Sequence, residues 1–140
     1  MKKTANYGLN LWEKTDRIQM EDFNADNAKI EAALSGIPKI AIGTYTGKGT
    51  SGSGNKNSLT FDFAPTIVII SANSTAIGGA GTILLAGQTQ NAGASAQYNS
   101  YSLELHVSWN GNTVSWYSDR DAVRQLNLNN TTYHYFALGV

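Results

Sequence analysis

Leu105-His106-Val107-Ser108-Trp109-Asn110-Gly111-Asn112-Thr113-Val114-Ser115-Trp116-Tyr117 decides the fold, because turn chemistry and hydrophobic pattern agree within it. Asn110-Gly111 is the preferred pair for a two-residue type I′ turn. Such a turn predicts Trp109 opposite Asn112, Val107 opposite Val114, Leu105 opposite Trp116 and Glu104 opposite Tyr117. Leu103, Leu105, Val107, Val114 and Trp116 then share one face. Ser102, Glu104, His106, Ser108, Thr113, Ser115 and Tyr117 share the other. A hairpin over Tyr101 to Ser118 with one buried side is the expectation, with Trp109 and Trp116 in the core.

Outward from the hairpin the signals remain β. Ile40 to Thr46 is a first strand, and Gly47 to Asn57 a flexible Gly/Ser-rich loop. Leu59, Phe61 and Phe63 alternate with Thr60 and Asp62 as a strand with one buried face, which Ala64-Pro65 breaks. Thr66 to Ser71 is apolar throughout and predicts a strand buried on both faces. Thr82 to Ala86 is a short strand, residues 87–100 a long surface loop, and Tyr133 to Val140 the last strand. Roughly seven or eight short strands separated by turns predict a mainly β fold, an antiparallel β-sandwich.

Composition changes near Pro38. Residues 1–39 carry 12 of the 20 charged side chains, and the other 101 residues carry eight. The division is therefore a short connector with a helix over 1–38 and a compact β domain over 39–140. A short α-helix over about 22–35 precedes the sandwich: Phe23, Asn27, Ile30 and Leu34 recur at spacings of four, three and four. Ala28, Ala32 and Ala33 favour it, and Gly36 and Pro38 end it, Gly36 as a left-handed cap. The stripe fits packing on the β domain and a short self-associating seam equally well.

The same composition limits function. Net charge is zero and the basic residues are scattered, so no stripe for nucleic acid is visible. With no cysteine, thiolate nucleophiles and thiolate metal sites are excluded. Met1-Lys2-Lys3 is followed by no apolar stretch, so no signal peptide is read. Ile67 to Ile70 is too short to insert into a membrane.

Gly47-Lys48-Gly49-Thr50-Ser51-Gly52 matches a dinucleotide-binding glycine pattern, but a strand follows where a helix is required, so a mobile loop is expected. His106 and His134 have no partner at metal-ligand spacing, and no metal or cofactor is expected. After Pro38 the acids are Asp62, Glu104, Asp119 and Asp121, with nothing in the sequence to pair two of them as a glycosidase requires. Aromatics and amides remain. Sugars stack on Tyr and hydrogen-bond to amides and carboxylates. The candidate ligand residues are thus Tyr98, Asn99, Tyr101, Glu104 and Tyr117, clustered around the start of the hairpin; for each tyrosine the competing reading is an ordinary half-buried sheet position. Phe23, Asn27, Ile30, Leu34, Tyr133 and Tyr135 are candidates for an oligomer interface, the two tyrosines balanced between interface and core.

Asn6-Tyr7-Gly8-Leu9-Asn10-Leu11, with Glu21-Asp22-Phe23-Asn24 leading into Ile30-Glu31-Ala32-Ala33-Leu34, resembles a segment of tail proteins from phages and prophages of Gram-positive bacteria. Gly43-Thr44-Tyr45-Thr46-Gly47, the Phe63-Ala64-Pro65 break before Ile67-Val68-Ile69-Ile70, and Tyr133 to Gly139 resemble the C-terminal domains of phage tail fibres. The resemblance implies a homotrimeric receptor-binding protein of the virion tail, partnered with other tail or baseplate proteins and with a host cell-surface polysaccharide. It implies assembly in the bacterial cytoplasm and release by lysis. The expectation is non-enzymatic adsorption to a surface glycan. The alternatives are a purely structural tail or baseplate component and, behind it, an oligomeric depolymerase.

Overall fold

The computed structural model describes residues 1–72, 81–91, 95–96, 101–102 and 104–140. They form two compact units, Met1–Ile37 and Pro38–Val140.

In the first unit, β1 (Lys2–Lys3) pairs antiparallel with β2 (Asn10–Leu11), and α1 spans Met20–Ser35. The Asn10 N–H donates to Asp26 Oδ2 at 2.9 Å, and Lys29 Nζ donates to the Gly8 carbonyl at 2.6 Å, tying the ribbon to the helix. Burial opposes ionisation of Asp26, but the Asn10 N–H and the Lys29 ammonium outweigh it and hold the carboxyl below its ordinary range. Trp12 stacks on Phe23 with ring centres 5.4 Å apart. Phe23, Asn27, Ile30 and Leu34 are all exposed. Gly36 does not adopt the expected left-handed cap: its φ is −87°, and the helix closes by a tight turn in which Ile37 N donates to Leu34 O at 3.1 Å.

The second unit is mainly β and antiparallel. One four-stranded sheet runs in the order β4 (Asn57–Thr60), β11 (Thr113–Tyr117), β10 (Leu105–Asn110), β7 (Gln90–Asn91). The other runs β3 (Lys39–Thr46), β12 (Thr132–Gly139), β5 (Pro65–Ala72), β6 (Gly81–Leu85). A further pair joins β8 (Ser95–Ala96) to β9 (Tyr101–Ser102). The inner faces of the two large sheets share one core. Val68, Ile70, Leu84, Tyr133 and Ala137 come from one sheet, Leu105, Val107, Val114 and Trp116 from the other, with Phe61, Phe63 and Leu126 closing it.

The hairpin forms, but its register differs from the expected one by two residues. Asn110 lies opposite Thr113, Trp109 opposite Val114, Val107 opposite Trp116 and His106 opposite Tyr117. The turn residues are Gly111 and Asn112, and only Gly111 has a positive φ, +56°. That is the II′ pattern, with glycine first, rather than I′. A shift of two conserves the side-chain parity, so the faces are those expected and Glu104 loses its place opposite Tyr117. Trp116 is fully buried. Trp109 is only partly so, and its Nε1 donates to the Gln88 carbonyl at 2.9 Å.

Three other expectations change. β4 ends at Thr60; Phe61 N still donates to Asn112 O at 3.0 Å, and Phe61 and Phe63 stay buried beyond the ladder. β5 is buried on one face only: Val68 and Ile70 point inward, while Ile67 is half-buried and Ile69 exposed. Tyr133 and Tyr135 lie on the inner face. Tyr133 is fully buried in the core, leaving no surface for a partner, and Tyr135 is half-buried and packs against that core, meeting Phe61 edge-on at 5.9 Å.

The outer faces of the two sheets differ in chemistry. On the first, Ser58 meets Ser115 at 3.0 Å and Thr60 meets Thr113 at 2.9 Å, a ladder of hydroxyl pairs between strands. On the second, two adjacent rows of outward positions across the four strands are Ile and Leu with one Phe.

Candidate functional site

Two irregular segments, Gly47 to Lys56 and Ser118 to Thr131, make a concavity. Between them lie two buried amides, Gln125 and Asn127. Gln125 Oε1 accepts from Gly52 N at 2.9 Å and Ser118 N at 3.0 Å, and its Nε2 donates to Asn55 O at 2.6 Å and Asn57 Oδ1 at 3.1 Å. Asn127 Oδ1 accepts from Lys48 N at 3.0 Å, and its Nδ2 donates to Thr50 O at 2.8 Å. Gly49 N donates to the Asn127 carbonyl at 2.7 Å, and Gly47 N to Thr131 O at 2.8 Å. Every polar atom of each buried amide is thereby partnered, as burial demands. The glycine-rich segment, expected to be a mobile loop, is held along its length by side chains some seventy residues away in sequence.

Leu126 sits between the two amides with φ +58°, a costly conformation for a residue with a branched side chain. It turns the Leu126 carbonyl to accept from Tyr45 Oη at 2.7 Å and Asn57 Nδ2 at 3.4 Å, while its own side chain is buried. Tyr45 stacks on Tyr133 with ring centres 5.0 Å apart and tilts against Trp116 at 5.9 Å. Burial, and then the neighbouring Tyr133, push the Tyr45 phenol far above its ordinary range. Burial raises Tyr133 as well, against the Leu128 N–H that donates to its oxygen at 3.0 Å. Both phenols are therefore neutral hydrogen-bonding groups.

The resulting cleft holds about 240 Å³. Tyr45, Trp116 and Asn57 form its inner wall, and Thr50, Asn55, Ser58 and Asn127 offer hydroxyls and amides. Lys48 and Lys56 flank it, both exposed; among the described residues neither ammonium is in an ion pair. Lys56 Nζ lies 5.5 Å from the centre of the Tyr117 ring. A rigid, polar, cation-flanked cleft over an aromatic floor can hydrogen-bond a polyhydroxyl group and attract a negative one.

Of the expected ligand residues, Tyr98 and Asn99 lie outside the described residues, and Tyr101 is placed by its backbone in β9. Glu104 is engaged by Arg120 Nε at 3.0 Å. Tyr117 adjoins the cleft through Lys56, but His106 stacks on its ring at 4.6 Å, so it is no open platform. His106 Nε2 in turn meets Asp119 Oδ2 at 2.9 Å. Gln125 and Asn127, which order the cleft, are not among the expected residues. The signal for them is the charge-free stretch Gln125-Leu126-Asn127-Leu128-Asn129-Asn130, whose leucines alternate with amides.

Comparison with known proteins gives no matching family model, no matching curated protein and no matching solved structure.

Proposed function

We propose that this chain is a receptor-binding protein of a phage or prophage tail, homo-oligomeric and non-enzymatic, whose β unit adsorbs to a bacterial cell-surface polysaccharide through the Lys48–Lys56 cleft. The observation that carries the reading is the cleft itself: its loop is fixed in advance by Gln125 and Asn127, so binding need not order it. The two ammonium groups, neither in an ion pair among the described residues, favour a polysaccharide bearing phosphate or carboxylate over a neutral one. The non-enzymatic part is supported by three of the four acids after Pro38: Glu104 is paired with Arg120, Asp119 with His106 and Asp121 with Arg124.

The test is calorimetric titration of the intact protein with teichoic acid and with a neutral glucan, repeated with the K48A/K56A variant. Binding of the anionic polymer that falls at least tenfold in the double variant is the expected result. Absence of binding both to these polymers and to whole Gram-positive cells would overturn the reading. That outcome would favour a structural tail or baseplate component, for which the apolar outer face of the second sheet already speaks.

A further inference from the structure

The outer face of the β3-β12-β5-β6 sheet carries two unbroken apolar rows. In one, Ile42 lies opposite Phe136, Phe136 opposite Ile69, and Ile69 opposite Ile83. In the other, Ile40 lies opposite Leu138, Leu138 opposite Ile67, and Ile67 opposite Leu85. Ile42 is 78% exposed, Ile40 59% and Ile83 54%. From these exposures the open apolar area is on the order of 600 Å², at the top of what a lone soluble domain shows. It also approaches the ~800 Å² each partner contributes to a standard interface. The next row is Thr44, His134 and Ser71, all exposed, so an apolar centre passes into a polar rim.

We propose that this face is buried against the corresponding faces of other copies of the same chain, gathered around a rotation axis. The apolar character argues for a protein partner, because the core of a homomeric interface is enriched in apolar area and depleted of charge. The charge argues for self: the two rows hold no ionised side chain and the chain has zero net charge, so identical copies meet without repulsion. The pattern also fits sheet-on-sheet packing, in which the side chains of facing sheets interdigitate. This inference sharpens the oligomeric part of the proposed function and assigns it a surface other than the α1 stripe.

The experiment is sedimentation of the full-length protein at micromolar concentration, wild type against I42K/I83K and L34K. Ile42 and Ile83 are on edge strands and point to solvent; Leu34 is on the exposed stripe of α1. The expected result is a wild-type multimer, dissociated in I42K/I83K and intact in L34K. A milder I42T/I83T pair retains β-branching at both positions and should weaken assembly at least tenfold with an unchanged far-ultraviolet spectrum, separating loss of contact from loss of fold. A multimer that survives both pairs overturns the assignment of this face while leaving the oligomeric reading intact. Dissociation by L34K alone overturns it in favour of the helix. A monomeric wild type overturns both.

Discussion

The indole Nε1 of Trp116 donates to the backbone carbonyl of Gln125 at 2.9 Å, at the same residue whose side-chain amide holds Gly52, Ser118, Asn55 and Asn57. A core aromatic and a loop-ordering amide are thus one unit, and the cleft is mechanically continuous with the hydrophobic core. Replacing Gln125 by Leu takes the side-chain partner from the Ser118 N–H and the Asn55 carbonyl, while Gly52 N keeps its bond to the Ser118 carbonyl at 2.9 Å. The expected cost is about 3 kcal/mol, since each buried unsatisfied group costs about 1–3 kcal/mol and the vacated sites are partly reached by water. Chemical denaturation with an unchanged m-value would record it. Trp116→Phe, which removes a single hydrogen bond and some volume, should cost about 1–2 kcal/mol.

Gly47 has no room for a side chain. A Cβ there would lie 2.0 Å from the Leu128 carbonyl oxygen and 2.7 Å from the Asn127 carbonyl carbon. Backbone meets backbone, so nothing flexible can yield. Gly47→Ala should therefore destabilise by more than about 3 kcal/mol, among the large single-residue effects. Gly111→Ala meets open space and suffers only from its φ of +56°, so about 1 kcal/mol is expected. Paired thermal melts of the two variants check the ranking.

Alkaline stability follows from the two buried phenols. Tyr45 and Tyr133 are held neutral in the folded chain by burial, with their ionisation raised above the usual value. In the unfolded chain both ionise near pH ~10. The unfolded state therefore loses protons first, so stability is whole below about pH 10 and falls as pH rises beyond it, by up to ~1.4 kcal/mol per pH unit for each phenol. Ultraviolet titration of tyrosinate should show a component equal to two of the seven tyrosines, Tyr45 and Tyr133, that appears only with unfolding.

The proposed binding through Lys48 and Lys56 would carry a salt signature. If both ammonium groups meet anionic sites on the polymer, affinity for teichoic acid should fall as salt rises through the range where the Debye length drops from ~10 Å to ~3 Å. The K48A/K56A variant should have lost most of that dependence, with a melting temperature within a few degrees of wild type, because both side chains are exposed. A salt dependence undiminished in the variant would place the contact elsewhere.

Alternation made the sheet faces legible. Leu105, Val107, Val114 and Trp116 point inward as their period of two demands. The register was not, because Asn110-Gly111-Asn112 satisfies two turn types: glycine second in a I′ turn or first in a II′ turn, two residues apart in pairing. Ile67 to Ile70 misled for a related reason: an uninterrupted apolar run is the pattern of a strand covered on both faces, and here Ile69 is exposed. The cleft was the least legible feature. Its order comes from Gln125 and Asn127 reaching a glycine-rich segment far away in sequence, and composition alone makes such a segment look loose.

Most of the bonds that hold the cleft loop end on main-chain atoms: Lys48 N, Thr50 O, Gly52 N and Asn55 O. The path of the chain is thereby specified almost independently of which side chains it displays at positions 48, 55 and 56. Such a rim can be rewritten letter by letter, swapping a cation for an amide or an aromatic, while the scaffold beneath keeps its shape. A lineage that must follow a changing target surface would find that separation of frame from lettering useful.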